Sequence, residues 1–554
     1  MAKCPRCDAP IIQGDQYCFT CGTTLQPTEP PGSAPPGSRF AGHTVNQPPV
    51  PSPIATLPPV PGPFMPSRPP RAKRSSGVLV AALVGLIAVG ALAVGAVVFF
   101  TRGSNDSPKQ WDAQVAPIAA RVAQLRGLAF EHPVKLEYLS PADFEKQVTA
   151  SPDELKAQKD EIEQATAVFR AAGLIGGDVD LGKAVNDTQA ADVIALYDPK
   201  SKKILVRGNG PFTIETRVTL AHELTHVLQD QHFDLQKLDK AAAESKTGSS
   251  DALTGLIEGD AERIQKKYLA EQSAADRAEY EKLSNATSDA AGRQLKGIPA
   301  VIQTYFGAPY IYGPQVVSIL ENTGGNQAID DALTGPTPTT RIYLDPTAVN
   351  QVNDTPPPVP ALQPGEKKLS SETVNDEGFD DFTLYLMLGA HIDPITALRA
   401  ADAFAAGSST AYTADGGTTC FRAAVTAVNP ASEEFLARVL GNWAEKMPDA
   451  KVESTSSPIT FRSCDPGKRA VAPSLAAIRG AATLAATRDQ LTATFITNNR
   501  IPADLAVCVS RVLMQMPGIQ AVLRPQTPAA TRQAVRLGAQ AGMACRQNAL
   551  AGIP

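Results

Sequence analysis

Histidine is scarce in this chain, with six among 554 residues, and tryptophan is rarer still, with two. Cysteine is missing between Cys21 and Cys420, so the eight cysteines form two separate sets of four. A basic excess is also lacking: 51 Lys and Arg stand against 56 Asp and Glu, which excludes a whole-chain nucleic-acid binder, whose footprint would be basic. Low hydrophobicity does not apply either, because 43% of residues are hydrophobic and a fully disordered chain is thereby excluded. The length suggests roughly three or four folding units. Charge is uneven, at +4 in residues 1–76 and −9 in the remainder.

The first cysteine set reads Cys4-Pro-Arg-Cys7, then ten residues, then Cys18-Phe-Thr-Cys21. Two CxxC knuckles at this spacing can make a tetrahedral thiolate cage for one structural Zn²⁺, and residues 1–25 are expected to form a zinc ribbon. Four thiolates leave no open coordination position, so its expected role is contact with a cytoplasmic protein partner. Residues 26–76 follow as a linker, with sixteen prolines in positions 27–70, extended and unable to bury apolar surface. Val78 to Phe100 is an uncharged run of 23 residues. At about 1.5 Å per residue it would span roughly 34 Å, and residues 77–101 are expected to form one transmembrane helix. Arg68, Arg71, Lys73 and Arg74 precede it. The positive-inside rule then predicts a single-pass protein of the cell membrane, N-terminus cytoplasmic and C-terminal domain extracytoplasmic.

Beyond residue 101 the patterns predict an α+β, mostly helical domain over 102–470 and an α-helical C-terminal appendix over 471–554. Val193–Tyr197 and Ile204–Arg207 alternate around Asp198-Pro199-Lys200-Ser201, which is hairpin chemistry. Helices are predicted near 110–127, 153–173, 214–231, 251–273, 276–292, 314–321, 392–406 and 432–445, and three in the last section. Cys420, Cys464, Cys508 and Cys545 permit three disulfide connectivities. Nearest-neighbour pairing, 420–464 and 508–545, is the preferred one.

The chemistry-bearing segment is His222-Glu223-Leu-Thr-His226. On a helix, residues i and i+4 stand one above the other, so both imidazoles can reach one Zn²⁺. Glu223 is then placed to take a proton from water attacking a carbonyl. The bland alternative is a buried helix with paired histidines. Against it, Leu220, Leu224, Val227 and Leu228 form a core stripe away from the imidazoles, and a second helix offers Glu258 at the edge of its own apolar stripe.

At these residues the sequence resembles the gluzincin metallopeptidases. His222 to Leu235 together with Glu258-Gly-Asp-Ala resembles more closely a group of bacterial, often actinobacterial, membrane-associated metallopeptidases. The resemblance spans roughly 190–350. It implies a zincin-like ectodomain with a small sheet, His222, His226 and Glu258 as zinc ligands, and Glu223 as general base. It also implies an acid that orients a ligand histidine, at Glu262 or, in competition, at Asp260. The hairpin before the helix would be the edge along which an extended peptide or protein substrate lies. Pro309-Tyr310-Ile-Tyr312-Gly313 matches a softer family segment. So does Gly335 to Pro346, except that Asp345 stands where relatives commonly carry histidine. Tyr310, Tyr312, Arg341, Tyr343, His232 and His391 are the candidates for polarising the substrate carbonyl. The alternative expectation is a degenerate zincin-fold receptor or scaffold linking a cell-envelope ligand to a cytoplasmic partner.

Overall fold

The computed structural model describes residues 2–3, 10–11 and, with short breaks, 108–550. Of these, residues 108–490 belong to one compact unit, and residues from Leu491 on belong, with 2–3 and 10–11, to another. The first is mostly helical, with two small sheets.

In the smaller sheet, Lys135–Leu139 runs parallel to Lys203–Arg207, and Ala195–Asp198 pairs antiparallel on the other side of that central strand. Ala195–Asp198 is therefore an edge strand. Against this sheet lies the helix Ile214–Phe233, which carries the HExxH segment. Thr213 starts it by accepting the Thr216 N–H at 3.1 Å, and Asp234 ends it in the left-handed conformation. Its Val218, Leu220, Leu224, Val227 and Leu228 share one core with Tyr197, Ile204 and Val206 of the strands and Ile118 and Val122 of helix Ala116–Arg126. An element buried this widely is held by packing; its hydrogen bonds alone would be marginal.

Helix Ser249–Ala270 brings Glu258 to the HExxH helix, and helix Ala300–Thr334 lies along its other side. These two approach backbone to backbone: a Cβ on Gly313 would sit 2.0 Å from the Gly255 carbonyl oxygen, and one on Gly259 would sit 2.6 Å from Gly313. The sequence reading places a short helix at 314–321 there. The helix instead runs through Pro309 and Pro314 and kinks at Gly325. Each proline removes one backbone donor, a cost of about 3 kcal/mol. Burial of Val301, Ile302, Phe306, Val316 and Val317 offsets it.

The larger sheet is antiparallel, in the order Lys367–Lys368, Phe404–Thr413, Thr419–Ala427, Ile459–Cys464, Ala450–Ser454. Cys420 and Cys464 are directly opposed across two of its strands and form a disulfide. In the second unit, helices Ala503–Gln515 and Pro528–Leu550 are joined by Cys508–Cys545. Both pairings are the nearest-neighbour ones.

The fold expectation needs one correction. Among the described residues, no helix is long and apolar enough to cross a membrane. Even Ala300–Thr334, the longest, interleaves Gln303, Tyr305, Tyr310, Tyr312 and Gln315 with its apolar residues. The expected transmembrane helix, 77–101, lies outside the described residues, as does the linker, 26–76. The single-pass cell-membrane localisation, with its cytoplasmic N-terminus and extracytoplasmic domain, loses its support and is not carried further. In the expected ribbon, Ala2–Lys3 pairs antiparallel with Pro10–Ile11, while Cys4, Cys7, Cys18 and Cys21 lie outside the described residues.

Candidate metal centre

His222 and His226 project from one face of the HExxH helix, their ring centroids 4.7 Å apart and nearly perpendicular. Glu258 Oε2 lies 3.1 Å from His222 Nε2 and 3.6 Å from His226 Nε2. One ligand atom from each of the three residues falls within 4.8 Å of the others, so this group could hold a metal ion. All three are fully buried. His226 Nε2 and Glu258 Oε1 make no hydrogen bond, although a buried polar atom left without one is costly. A cation between them would satisfy both. Two imidazoles and one carboxylate are a donor set that suits zinc.

The electrostatics follow from this crowding. Burial works against a charged imidazole at His226, but the Glu258 and Glu223 carboxylates outweigh it, and His226 is pushed up to about 9. Burial likewise opposes charge on Glu258; the two histidines prevail and hold its carboxyl below the usual range.

Glu223, also fully buried, is oriented by the sheet: its Oε2 accepts the Tyr197 N–H at 2.7 Å. The Tyr197 hydroxyl donates to Asp230 Oδ2 at 2.5 Å, and Lys202 Nζ reaches the same oxygen at 2.6 Å. The edge strand is thus tied to the HExxH helix at two points.

Of the two acids proposed to orient a histidine, neither is placed to do so directly. Glu262 pairs with Lys266 at 2.5 Å, one turn along its own helix. Asp260 is fully buried between Arg126 Nε at 2.6 Å and Arg263 Nη2 at 2.8 Å. The residue bonded to a histidine is Gln229, whose Oε1 lies 2.9 Å from His226 Nδ1. Its position three residues after His226 on the same helix was the available signal. Tyr197 could not have been found from side-chain chemistry, because its contribution is a backbone N–H.

The carbonyl-polarising candidates mostly serve the fold. Tyr312 donates to the Ala482 carbonyl at 3.1 Å, and Tyr343 to that of Asp251. The two rings stack 5.3 Å apart against Phe382. Arg341 Nη2 donates to the Phe404 carbonyl at 2.6 Å. His232 and His391 bond the carbonyls of Ala129 and Gly173, each at 2.7 Å. Tyr310 is buried within the long helix. Asp345 accepts the Thr347 N–H at 3.0 Å and its hydroxyl at 2.6 Å, closing a local turn.

Comparison with known protein families, with curated proteins and with solved structures finds no match to this chain. The functional reading therefore rests on the site itself.

Proposed function

We propose that this chain is a zinc-dependent, gluzincin-like peptidase that hydrolyses peptide bonds with metal-activated water. The observation that carries the proposal is the convergence of His222, His226 and Glu258 within 4.8 Å, with Glu223 adjoining on the same helix. His222, His226 and Glu258 would hold the ion. Bound zinc would supply Lewis acidity toward water and toward the substrate carbonyl.

The remaining work falls to the chain's own groups. The Tyr197 N–H holds the Glu223 carboxylate in one orientation. That carboxylate accepts the proton of the attacking water and returns it to the departing amide nitrogen. Both proton positions are then served by one side chain, and the cycle leaves Glu223 as it began. An extended peptide would lie along Ala195–Asp198, the edge strand bonded to Glu223. Complete burial of the four site residues excludes bulk water, which strengthens each charge interaction there.

That same burial favours a second reading, in which the centre holds metal for structure and the domain is a binding scaffold. The deciding experiment is hydrolysis of a quenched peptide library at full zinc loading, with Glu223→Ala as the control. A peptidase loses about 10²–10⁴-fold in rate on that substitution while keeping its metal. If the wild type and Glu223→Ala are equally inert, the scaffold reading stands.

A further inference from the structure

Resting on the zinc-centre reading, we propose that Gln229 is a positioning residue, locked by Asp260 and the Ile257 carbonyl so that it holds the His226 proton on Nδ1 and leaves the Nε2 lone pair for the metal.

Donors and acceptors around the Gln229 amide fix its orientation. Gln229 is fully buried, and its amide meets three groups. Its Nε2 lies 3.0 Å from the Ile257 carbonyl oxygen and 3.1 Å from Asp260 Oδ2. A carbonyl and an ionised carboxylate only accept, so both amide hydrogens are committed to them. The Gln229 oxygen must then face His226 Nδ1, at 2.9 Å. An amide oxygen cannot donate, so the hydrogen of this bond belongs to the imidazole. The opposite orientation of the amide would set three acceptor oxygens together at a fully buried position.

Asp260 can act as a permanent acceptor because two cations fix it. Arg126 Nε lies 2.6 Å from one oxygen, and Arg263 Nη2 lies 2.8 Å from the other. The guanidiniums are anchored in turn by the long helix. Arg126 Nη2 meets Asp330 at 2.5 Å, and Arg263 meets Glu321 at 2.7 Å and Asn326 at 2.8 Å. The kink at Gly325 lies between these anchors. The acid expected to orient a histidine directly does so through an amide.

The other imidazole lacks such a device: His222 Nδ1 is buried and makes no hydrogen bond. The two ligand histidines should therefore behave differently, which supplies the test. Zinc affinity is measured by chelator competition on the full chain carrying Cys4→Ser, Cys7→Ser, Cys18→Ser and Cys21→Ser, which removes the N-terminal thiolates as competitors. Gln229→Leu should weaken zinc binding by about 10–100-fold. Gln229→Met keeps the length and packing of the side chain without its oxygen, and should lose as much as Gln229→Leu. Unchanged affinity in Gln229→Leu overturns the proposal. So does Gln229→Met binding zinc as tightly as the parent, since the loss in Gln229→Leu is then one of packing.

A second measurement needs no variant at position 229. In zinc-loaded protein labelled with ¹⁵N-histidine, the His226 Nδ1–H should resonate downfield of the His222 Nδ1–H and exchange more slowly. Equal behaviour of the two protons overturns the relay. A parent chain that binds no zinc defeats the metal-centre reading itself. Tight zinc binding indifferent to Gln229 defeats the relay alone.

Discussion

Replacing Gly313 by alanine tests the packing that delivers Glu258 to the histidines. The new Cβ would lie 2.0 Å from the Gly255 oxygen, 2.8 Å from its carbonyl carbon and 3.1 Å from its Cα. Non-bonded heavy atoms rest at about 3.5–4.0 Å, so helices Ser249–Ala270 and Ala300–Thr334 must separate by more than about 1 Å. Every clashing atom is backbone, and no rotamer change can relieve it. The cost should reach about 3 kcal/mol, the upper end of the usual range for overpacking. Glu258 lies between Gly255 and Gly259 on the displaced helix, so its 3.1 Å approach to His222 should lengthen and zinc affinity should fall as well. The assay is urea unfolding together with chelator competition for zinc. Gly441→Ala is the control: nothing lies within 4 Å of its Cβ, and that helix should gain about 0.5–1 kcal/mol. A Gly313→Ala protein within about 1 kcal/mol of the parent, binding zinc equally well, would refute the reasoning.

Zinc binding should release about one proton per ion near pH 7, because His226, pushed up to about 9, must give up its proton to bind metal. Apparent affinity should then rise about tenfold per pH unit up to about 9 and level off above it; a flat profile with no proton release by calorimetry would contradict this. In the metal-free protein the same group stabilises the fold below its ordinary pKa, and that contribution should be lost as pH rises through about 9. Asp380 is pushed up to about 6 by burial and by neighbouring Asp381. Its native state prefers the proton, so stability should fall between about pH 4 and 6. Asp380→Asn should remove that slope, for a relative gain on the order of 2–3 kcal/mol at pH 7; unfolding curves across that range are the check. Removing the Cys420–Cys464 disulfide, which spans 44 residues, should cost about 4 kcal/mol of unfolding free energy by the chain-entropy relation.

Some of the fold was legible because its signal is local. The turn at Asp198–Ser201 and the alternation around it mark the hairpin, and the Leu220, Leu224, Val227 and Leu228 stripe marks the HExxH helix. Other parts were hidden for identifiable reasons. Pro309 and Pro314 disguise a helix that runs from Ala300 to the kink at Gly325 and whose burial outweighs its local cost. The strand Phe404–Thr413 has only Phe404 and Tyr412 among Ala, Ser, Gly and Thr, too little alternation to mark it, and it is held by its two neighbours in the sheet.

The sequence by itself determined the pairing of His222 with His226, since four residues on a helix are one turn apart whatever surrounds them, and it placed Glu223 beside them. Tertiary structure decided the rest of the site. Glu258 reaches the imidazoles because Gly255, Gly259 and Gly313 let two backbones touch. Glu223 takes its orientation from an edge-strand amide, and Gln229 takes its own from a buried carboxylate between two arginines. Each of these contacts joins residues distant in the chain. Their geometry follows from how helices and strands pack, which no local spacing encodes.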